Sequence, residues 1–399
     1  AWLVEDQTDP MVVISFAFMG GSNNDPKGKE GVADLMASLL DNGAGDLDSD
    51  TFQQRLYETG ADLSFRASPE LISGRLRVLA GETEEPLELL SLAVKSPRFD
   101  EPEFARDKAV AISDERSSSN DPDVRGQKAL MAALYGDHPL GRPVTEDTLA
   151  AVTREDLAAF HKKLFSRSNL LVGVVGAIDP ATLERVLDQV FGDLPAEAEV
   201  AEVPAPKINF GKVVREVYDR PQTSISFVYP GVSATSPEVY SATLLAEIMG
   251  GSGLSSRLFT ELREKRGLTY GAYANLDANI DWGDLSIGVA TGSDRAAETI
   301  RTTREVVRQM VEEGPTEREL ADAKKYAIGS YAISQLSSSS QIANTLVGLQ
   351  RLGRGRDYIQ KRVGLFEAVT MDEVKEMATR LLSVEPTVLL VGPEMKAEN

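Results

Sequence analysis

Apolar and polar positions alternate with the two-residue period of a half-buried strand in Met11-Val-Val-Ile-Ser-Phe and again in Thr223-Ser-Ile-Ser-Phe-Val, both enriched in β-branched and aromatic residues. A turn follows each run, and then apolar spacing of helical period. The first helix is predicted over Val32 to Leu40 and closed by Asn42-Gly43; the second runs over Tyr240 to Met249 and is closed by Gly250-Gly251. These stretches form an internal repeat. Phe16-Ala-Phe-Met-Gly-Gly-Ser lines up with Phe227-Val-Tyr-Pro-Gly-Val-Ser at an offset of 211 residues, which still holds at Pro26 and Pro237. Further on, Phe52-Gln-Gln-Arg-Leu-Tyr-Glu-Thr-Gly60 matches Phe259-Thr-Glu-Leu-Arg-Glu-Lys-Arg-Gly267. Strands are predicted at Leu71 to Val78 and Gly283 to Ala290, each followed by a helix and by a second helix opening near Glu101 or Glu317.

Strands that alternate with helices but include hairpin-spaced pairs predict an α+β fold of two homologous halves, each a mostly antiparallel sheet covered by helices. Between the halves, Leu194-Pro-Ala-Glu-Ala-Glu-Val-Ala-Glu-Val-Pro-Ala-Pro206 has no apolar periodicity and reads as a semi-extended linker. The expected division is therefore residues 1–195, a linker at 196–212, and residues 213–399. A doubly wound parallel sheet is disfavoured, because no G-x-G-x-x-G follows a strand and no G-x-x-x-x-G-K-[ST] occurs.

Charge narrows the choice of partners. Among 399 residues, 42 Lys plus Arg face 62 Asp plus Glu, a net charge of −20. That field repels phosphate backbones, so nucleic acid is not an expected partner. The absence of cysteine excludes disulfides, thiolate metal sites and a Cys nucleophile. The longest apolar runs, such as Leu170 to Gly176, fall far short of the roughly 20 residues a membrane span needs. Ala1-Trp-Leu-Val has neither an initiator Met nor the charged and apolar regions of a secretion signal, so any such signal is expected to have been removed beforehand.

The two histidines restrict the chemistry further. His138 lies in a Gly/Pro loop and His161 on a predicted helix at Glu155 to Phe165, so a two-His zinc site on one helix cannot be built. Both are expected to be structural. No G-x-S-x-G elbow supports a Ser nucleophile. Asp46-Leu-Asp-Ser-Asp50 lacks the Gly and Glu of a calcium loop and is expected to cap a helix starting near Thr51. The more informative cluster runs from Gly250 to Tyr270. Arg263 falls late on a helix and Tyr270 follows the Gly267 break, so a turn would let guanidinium and phenol donate hydrogen bonds to a carbonyl or an oxyanion. Taken alone, the same residues would equally serve as a surface ion pair with a neighbouring Glu and a ring packed on the sheet.

Three landmarks carry a family resemblance over nearly the whole chain: the Gly-Ser…Asp-Pro-x-Gly-x-x-Gly turn at Gly21 to Gly31, Tyr-Gly-Asp-His-Pro-Leu-Gly-Arg-Pro at Tyr135 to Pro143, and Gly-Gly-x-x-x-Ser-Ser-Arg-Leu-Phe…Leu-Arg…Gly-Leu-x-Tyr from Gly250 to Tyr270. The sequence resembles the pitrilysin/insulinase-like zinc metallopeptidases, in the two-chain branch that includes the mitochondrial processing peptidase. The resemblance implies an H-x-x-E-H zinc motif in the first predicted helix, but Asp34 and Ser38 occupy its two His positions and Ala37 that of the general-base Glu; the third ligand falls on Asp114. Catalytic zinc is therefore not expected in this chain.

The second-half signature matches, with Arg263 and Tyr270 at the family's seven-residue spacing. The resemblance makes them site residues acting in trans on a partner's zinc centre. It places Gly250, Gly251, Ser252 and Gly253 near the substrate path, while an αL C-cap is an equally good account of Gly250. The implied partner is an H-x-x-E-H-bearing homologous subunit that holds the zinc and makes the pair a peptidase; this chain alone is expected to have no activity. Peptide substrate is expected to add as a strand to a sheet edge. The rival expectation is a catalytically inactive structural or peptide-binding scaffold of the same fold, with an active homodimer a third. By analogy with bacterial chains of this type, a periplasmic location is expected, otherwise a cytoplasmic one.

Overall fold

A computed structural model describes residues 1–251 and 256–395. The first half of the chain runs β1 (Trp2–Glu5), β2 (Met11–Met19), α1 (Val32–Leu39), α2 (Ser49–Thr59), β3 (Asp62–Ala67), β4 (Leu71–Leu79), α3 (Glu84–Lys95), α4 (Glu101–Ser118), α5 (Pro122–Tyr135), α6 (Glu146–Ala151), α7 (Arg154–Leu164), β5 (Leu170–Gly176) and α8 (Pro180–Phe191). The second runs β6 (Val213–Val217), β7 (Gln222–Pro230), α9 (Val239–Gly250), a π-helical turn (Phe259–Glu264), β8 (Thr269–Ala278), β9 (Gly283–Gly292), α10 (Ala296–Glu313), α11 (Glu317–Gln335), α12 (Ser339–Arg351), α13 (Tyr358–Glu367), α14 (Met371–Leu382) and β10 (Thr387–Gly392). β2 and β7 keep the 211-residue offset from end to end. Residues 198–210 carry no regular structure.

Each half forms one five-stranded sheet, and the two sheets have the same topology: β1-β5-β2-β4-β3 and β6-β10-β7-β9-β8. One pair in each is parallel (β1 with β5, β6 with β10) and the remaining pairs are antiparallel. The expected α+β fold of two halves is the one observed. In the first sheet the alternate residues Val12, Ile14, Phe16 and Phe18 of β2 enter one core with α1, α3, α7 and α8. Ile225, Phe227 and Tyr229 do the same in the second sheet, against α9, α10 and α14.

The packed units are not continuous in sequence. One comprises residues 1–117, 142–204 and 333–354, and the other residues 118–141, 205–332 and those from 355 onward. A cut at 196–212 would assign α5 to the first half and α12 to the second. In the structure α12 lies on the first sheet, with Ala343 and Leu346 against Val13 and Val175. Correspondingly, α5 lies on the second sheet, with Leu130 and Leu134 against Val228, Leu389 and Val391. The physical reason lies in the central strands: β5 reads Leu-Leu-Val-Gly-Val-Val-Gly and β10 reads Thr-Val-Leu-Leu-Val-Gly, near-continuous apolar runs that need cover on both faces. The helices approach closely, and a Cβ on Gly173 would stand 2.4 Å from the Ala343 carbonyl oxygen.

Candidate functional site

The turn at Gly21 to Gly31 exists to seat α1. Buried Asp25 accepts from the backbone N–H groups of Gly31 (2.7 Å) and Ala33 (2.9 Å), satisfying free donors at the helix start. Gly31 has φ +113°, and a Cβ there would meet Leu149 at 2.6 Å. Glu30 accepts from Gly28 N–H and pairs with Arg142 of the second landmark at 3.4 Å. The first two landmarks thus hold one another and the helix.

On α1, Asp34 and Ser38 reach solvent, while Ala37 is buried at 3% exposure. Ser38 Oγ is occupied by Leu35 O at 3.1 Å and Asp107 Oδ2 at 3.4 Å. Asp114 is exposed on α4. Although Asp34 reaches solvent, surrounding protein desolvates its carboxyl and raises its pKa. Burial, with the Asp107 carboxylate nearby, pushes neighbouring Asp41 up to about 6. These residues do not fit a catalytic zinc: a methyl group stands where a proton acceptor is needed, and a weakly donating hydroxyl replaces an imidazole. Among the described residues no group of three or more His, Cys, Asp or Glu side chains could hold a metal ion.

The second-half site is built differently. The π-helical turn ends where Gly267 adopts φ +59°, its N–H bonded to Arg263 O (2.9 Å), and Leu268 N–H bonds to Leu262 O (2.7 Å). Arg295 clasps the carbonyls of Arg266 and Gly267, so the turn between Arg263 and Tyr270 is held from outside. β8 then begins with a β-bulge: Thr269 faces Thr291 and Ala272 faces Val289, leaving Tyr270 and Gly271 opposite one residue of β9. The Thr269 hydroxyl lies 2.6 Å from Ala290 O and 2.7 Å from Gly271 O, and accepts from Gly271 N–H. Bulges redirect side chains and recur beside active sites. Tyr270 is 89% exposed and Tyr273 67% exposed, so neither ring is packed into the sheet.

Arg263 is exposed, its guanidinium 4.8 Å from the Phe259 ring centroid. Among the described residues it makes no ion pair; Glu261, two residues earlier, is taken by Lys265 and Arg266 instead. The alternative in which Arg263 pairs with a neighbouring Glu and Tyr270 packs on the sheet is therefore not what the structure contains. Gly250 is not an αL cap either, as its φ is not positive. Its lack of a side chain is required because a Cβ would lie 2.3 Å from Ala274 N on β8. Gly251 follows as the C-cap of α9, and Ser252 and Gly253 lie outside the described residues. The bulge, Tyr273 and the Phe259–Arg263 contact are additions from the structure; only the i, i+4 spacing of the last was available as a signal.

The histidines are structural. Burial pushes His161 down to about 4; its ring stacks on Phe165 at 4.1 Å, and its Nε2 lies 2.9 Å from Val94 O. His138 Nδ1 accepts from Leu140 N–H. Asp48 caps α2 by accepting from Thr51 N–H (2.9 Å), as expected of the acidic run.

The family model described as insulinase (peptidase family M16) matches residues 2–148, and that described as peptidase M16 inactive domain matches residues 151–326. A Mycobacterium bovis relative described as an uncharacterized zinc protease is 28% identical over 384 residues, 94% of this chain and 86% of its own. A Helicobacter pylori relative described as a non-peptidase homolog is 25% identical over 93% of this chain and 86% of its own. Among solved structures, a peptidase M16 inactive domain from Pseudomonas fluorescens superposes with a TM-score of 0.92 at 26% identity, covering 99% of this chain and 96% of its own. The chain belongs to peptidase family M16.

Proposed function

We propose that this chain is the non-catalytic member of a two-chain M16 peptidase, presenting Arg263 and Tyr270 to a peptide bound at the zinc centre of an H-x-x-E-H-bearing partner. The observation that carries the reading is the pairing of Ala37 at the general-base position with an exposed, uncommitted guanidinium and phenol. The pinned turn and the bulge fix the backbone of both residues, so only side-chain freedom is lost when guanidinium and phenol meet a carbonyl or tetrahedral oxyanion. The partner's zinc supplies the Lewis acid and activated water, and this chain orients the peptide and stabilises developing charge. The net charge of −20 favours basic peptides over acidic ones.

The test is cleavage of an unstructured peptide pool by this chain, by its partner and by the mixture. Activity is expected only in the mixture. Arg263→Ala is expected to reduce kcat roughly 10²- to 10³-fold, the usual loss for one oxyanion donor, without dissociating the pair. Tyr270→Phe should act in the same direction by removing only the hydroxyl. Undiminished cleavage with both variants would instead favour a scaffold role, the reading to which the name of the Helicobacter pylori relative points.

A further inference from the structure

On the face of the first sheet that carries α12, the helix covers β5 and β2 but leaves a cleft of about 530 Å³ against β3 and β4. The cleft is cationic in a strongly acidic chain: Arg66, Arg75 and Arg351 line it. Asp62 takes one Nη of Arg75 at 3.1 Å, and Glu70 pairs with Arg351. Those pairs leave Arg75 Nε, Arg351 Nε and the hydroxyl of Ser15 without hydrogen-bond partners beneath the cleft wall. Ser15 is 2% exposed, in the middle of an otherwise apolar strand. Buried donors left unpaired cost stability and ask for an explanation. Arg66 is exposed and makes no ion pair among the described residues.

The internal repeat supplies a control. Ser15 faces Arg75 across β2 and β4, and the equivalent Ser226 faces Gly288 across β7 and β9. Aligning the capping residues Ser338 of α12 and Asp121 of α5 sets Gly348 and Arg351 against Met131 and Leu134. In the second unit that space is filled by an apolar cluster of Leu130, Leu134, Tyr135 and Val228, with Met131 and Trp282 packed on it. In the first unit the same place holds two arginines and a glycine. Gly348 is interior to α12, where glycine weakens a helix, yet a Cβ there would touch nothing within 4 Å. No close approach demands it, and its effect is to keep the cleft open.

A guanidinium with a free edge receives the two oxygens of a carboxylate or phosphate as a fork. Leu71 and Val347 supply apolar wall, and the volume is that of a small-molecule site. We propose that the α12 cleft binds a small organic anion, its carboxylate or phosphate held by Arg75, Arg351 and Ser15 and its apolar part against Leu71 and Val347. A rotation of the two guanidinium groups within the cleft brings their unpaired N–H groups onto the anion. The site shares no residue with the proposed peptide contacts at Arg263 and Tyr270, and its test does not depend on the peptidase reading.

Hexanoate and hexyl phosphate are titrated into the full chain by calorimetry, with hexanol and inorganic phosphate as controls for each end of the ligand. At least one of the two amphiphilic anions is expected to bind more tightly than both controls, and more weakly as salt rises. An N-acetylated tripeptide with a free or an amidated C-terminus distinguishes a peptide end from a free small molecule as the source of the carboxylate. Arg75→Gln and Arg351→Gln are expected to weaken binding about 10-fold or more. Gly348→Leu fills the cleft, and is expected to abolish binding while the melting temperature stays level or rises. No binding of either anion, equal binding of hexanol, or undiminished binding by a folded Gly348→Leu chain would each overturn the proposal.

Discussion

At position 37 a buried methyl group stands where the family's chemistry requires a carboxylate, and at position 38 a hydroxyl is already spent on Leu35 and Asp107. Neither side chain offers an imidazole ligand or a general base, while the landmarks that position their helix persist. The same scale governs charge elsewhere. Asp284 accepts from the Tyr135 hydroxyl (3.3 Å) and faces Asp277 across the β8–β9 pair; burial, then the Asp277 charge, pushes its pKa up to about 6. Unfolded, a carboxyl of this kind ionises near 3.9. Between those values the folded chain holds the extra proton, so the cost of ionising Asp284 is absent below about pH 4 and complete above about pH 6. Asp284→Asn keeps an acceptor for Tyr135 and removes that cost. Urea unfolding should find the variant level with the parent at pH 4 and roughly 1–3 kcal/mol more stable at pH 8; an equal difference at both pH values would contradict the assignment.

At the scale of elements, the second-half site depends on α9 lying close over β8. Gly250 permits that approach, and the bulge at Tyr270–Gly271 turns the edge strand so that Tyr270 leaves the sheet. Gly250→Ala places a methyl against Ala274 N and the Tyr273 carbonyl carbon, so helix and strand must separate. A loss of roughly 1–3 kcal/mol is expected, typical of overpacking, with a lower melting temperature and weaker partner-supported cleavage. Had Gly250 served only as a helix stop, the position would have shown a positive φ; the αL positions lie elsewhere, as at Gly60 and Gly267.

At the scale of the molecule, each sheet is finished by a helix from a distant part of the sequence. A fragment of residues 1–204 lacks α12 and so leaves Val13 and Val175 without Ala343 and Leu346. That fragment is expected to bind a hydrophobic dye and to unfold without a sharp urea transition, whereas the full chain unfolds cooperatively. A cooperative transition in the isolated fragment would show the exchanged helix to be dispensable. The exchange also bears on the α12 cleft, since its cationic walls come from β3 and β4 and from a helix some 270 residues further along.

The internal repeat, the strands and the cap of α2 were legible in the sequence, because each depends on local periodicity or turn chemistry. Phe16 and Phe227 declare equivalent strands, Asp48 declares a cap, and Ala37 cannot take a proton in any fold. Arg263 and Tyr270 could be named as a pair, but their freedom could not be read, since Glu261 stood near enough in sequence to claim the guanidinium and only the turn geometry gives it to Lys265 and Arg266. The reason for Gly250, the helix exchange and the α12 cleft were decided by tertiary structure alone. Each depends on which distant backbone or side chain comes within a few ångströms, a distance that periodicity along the chain does not contain.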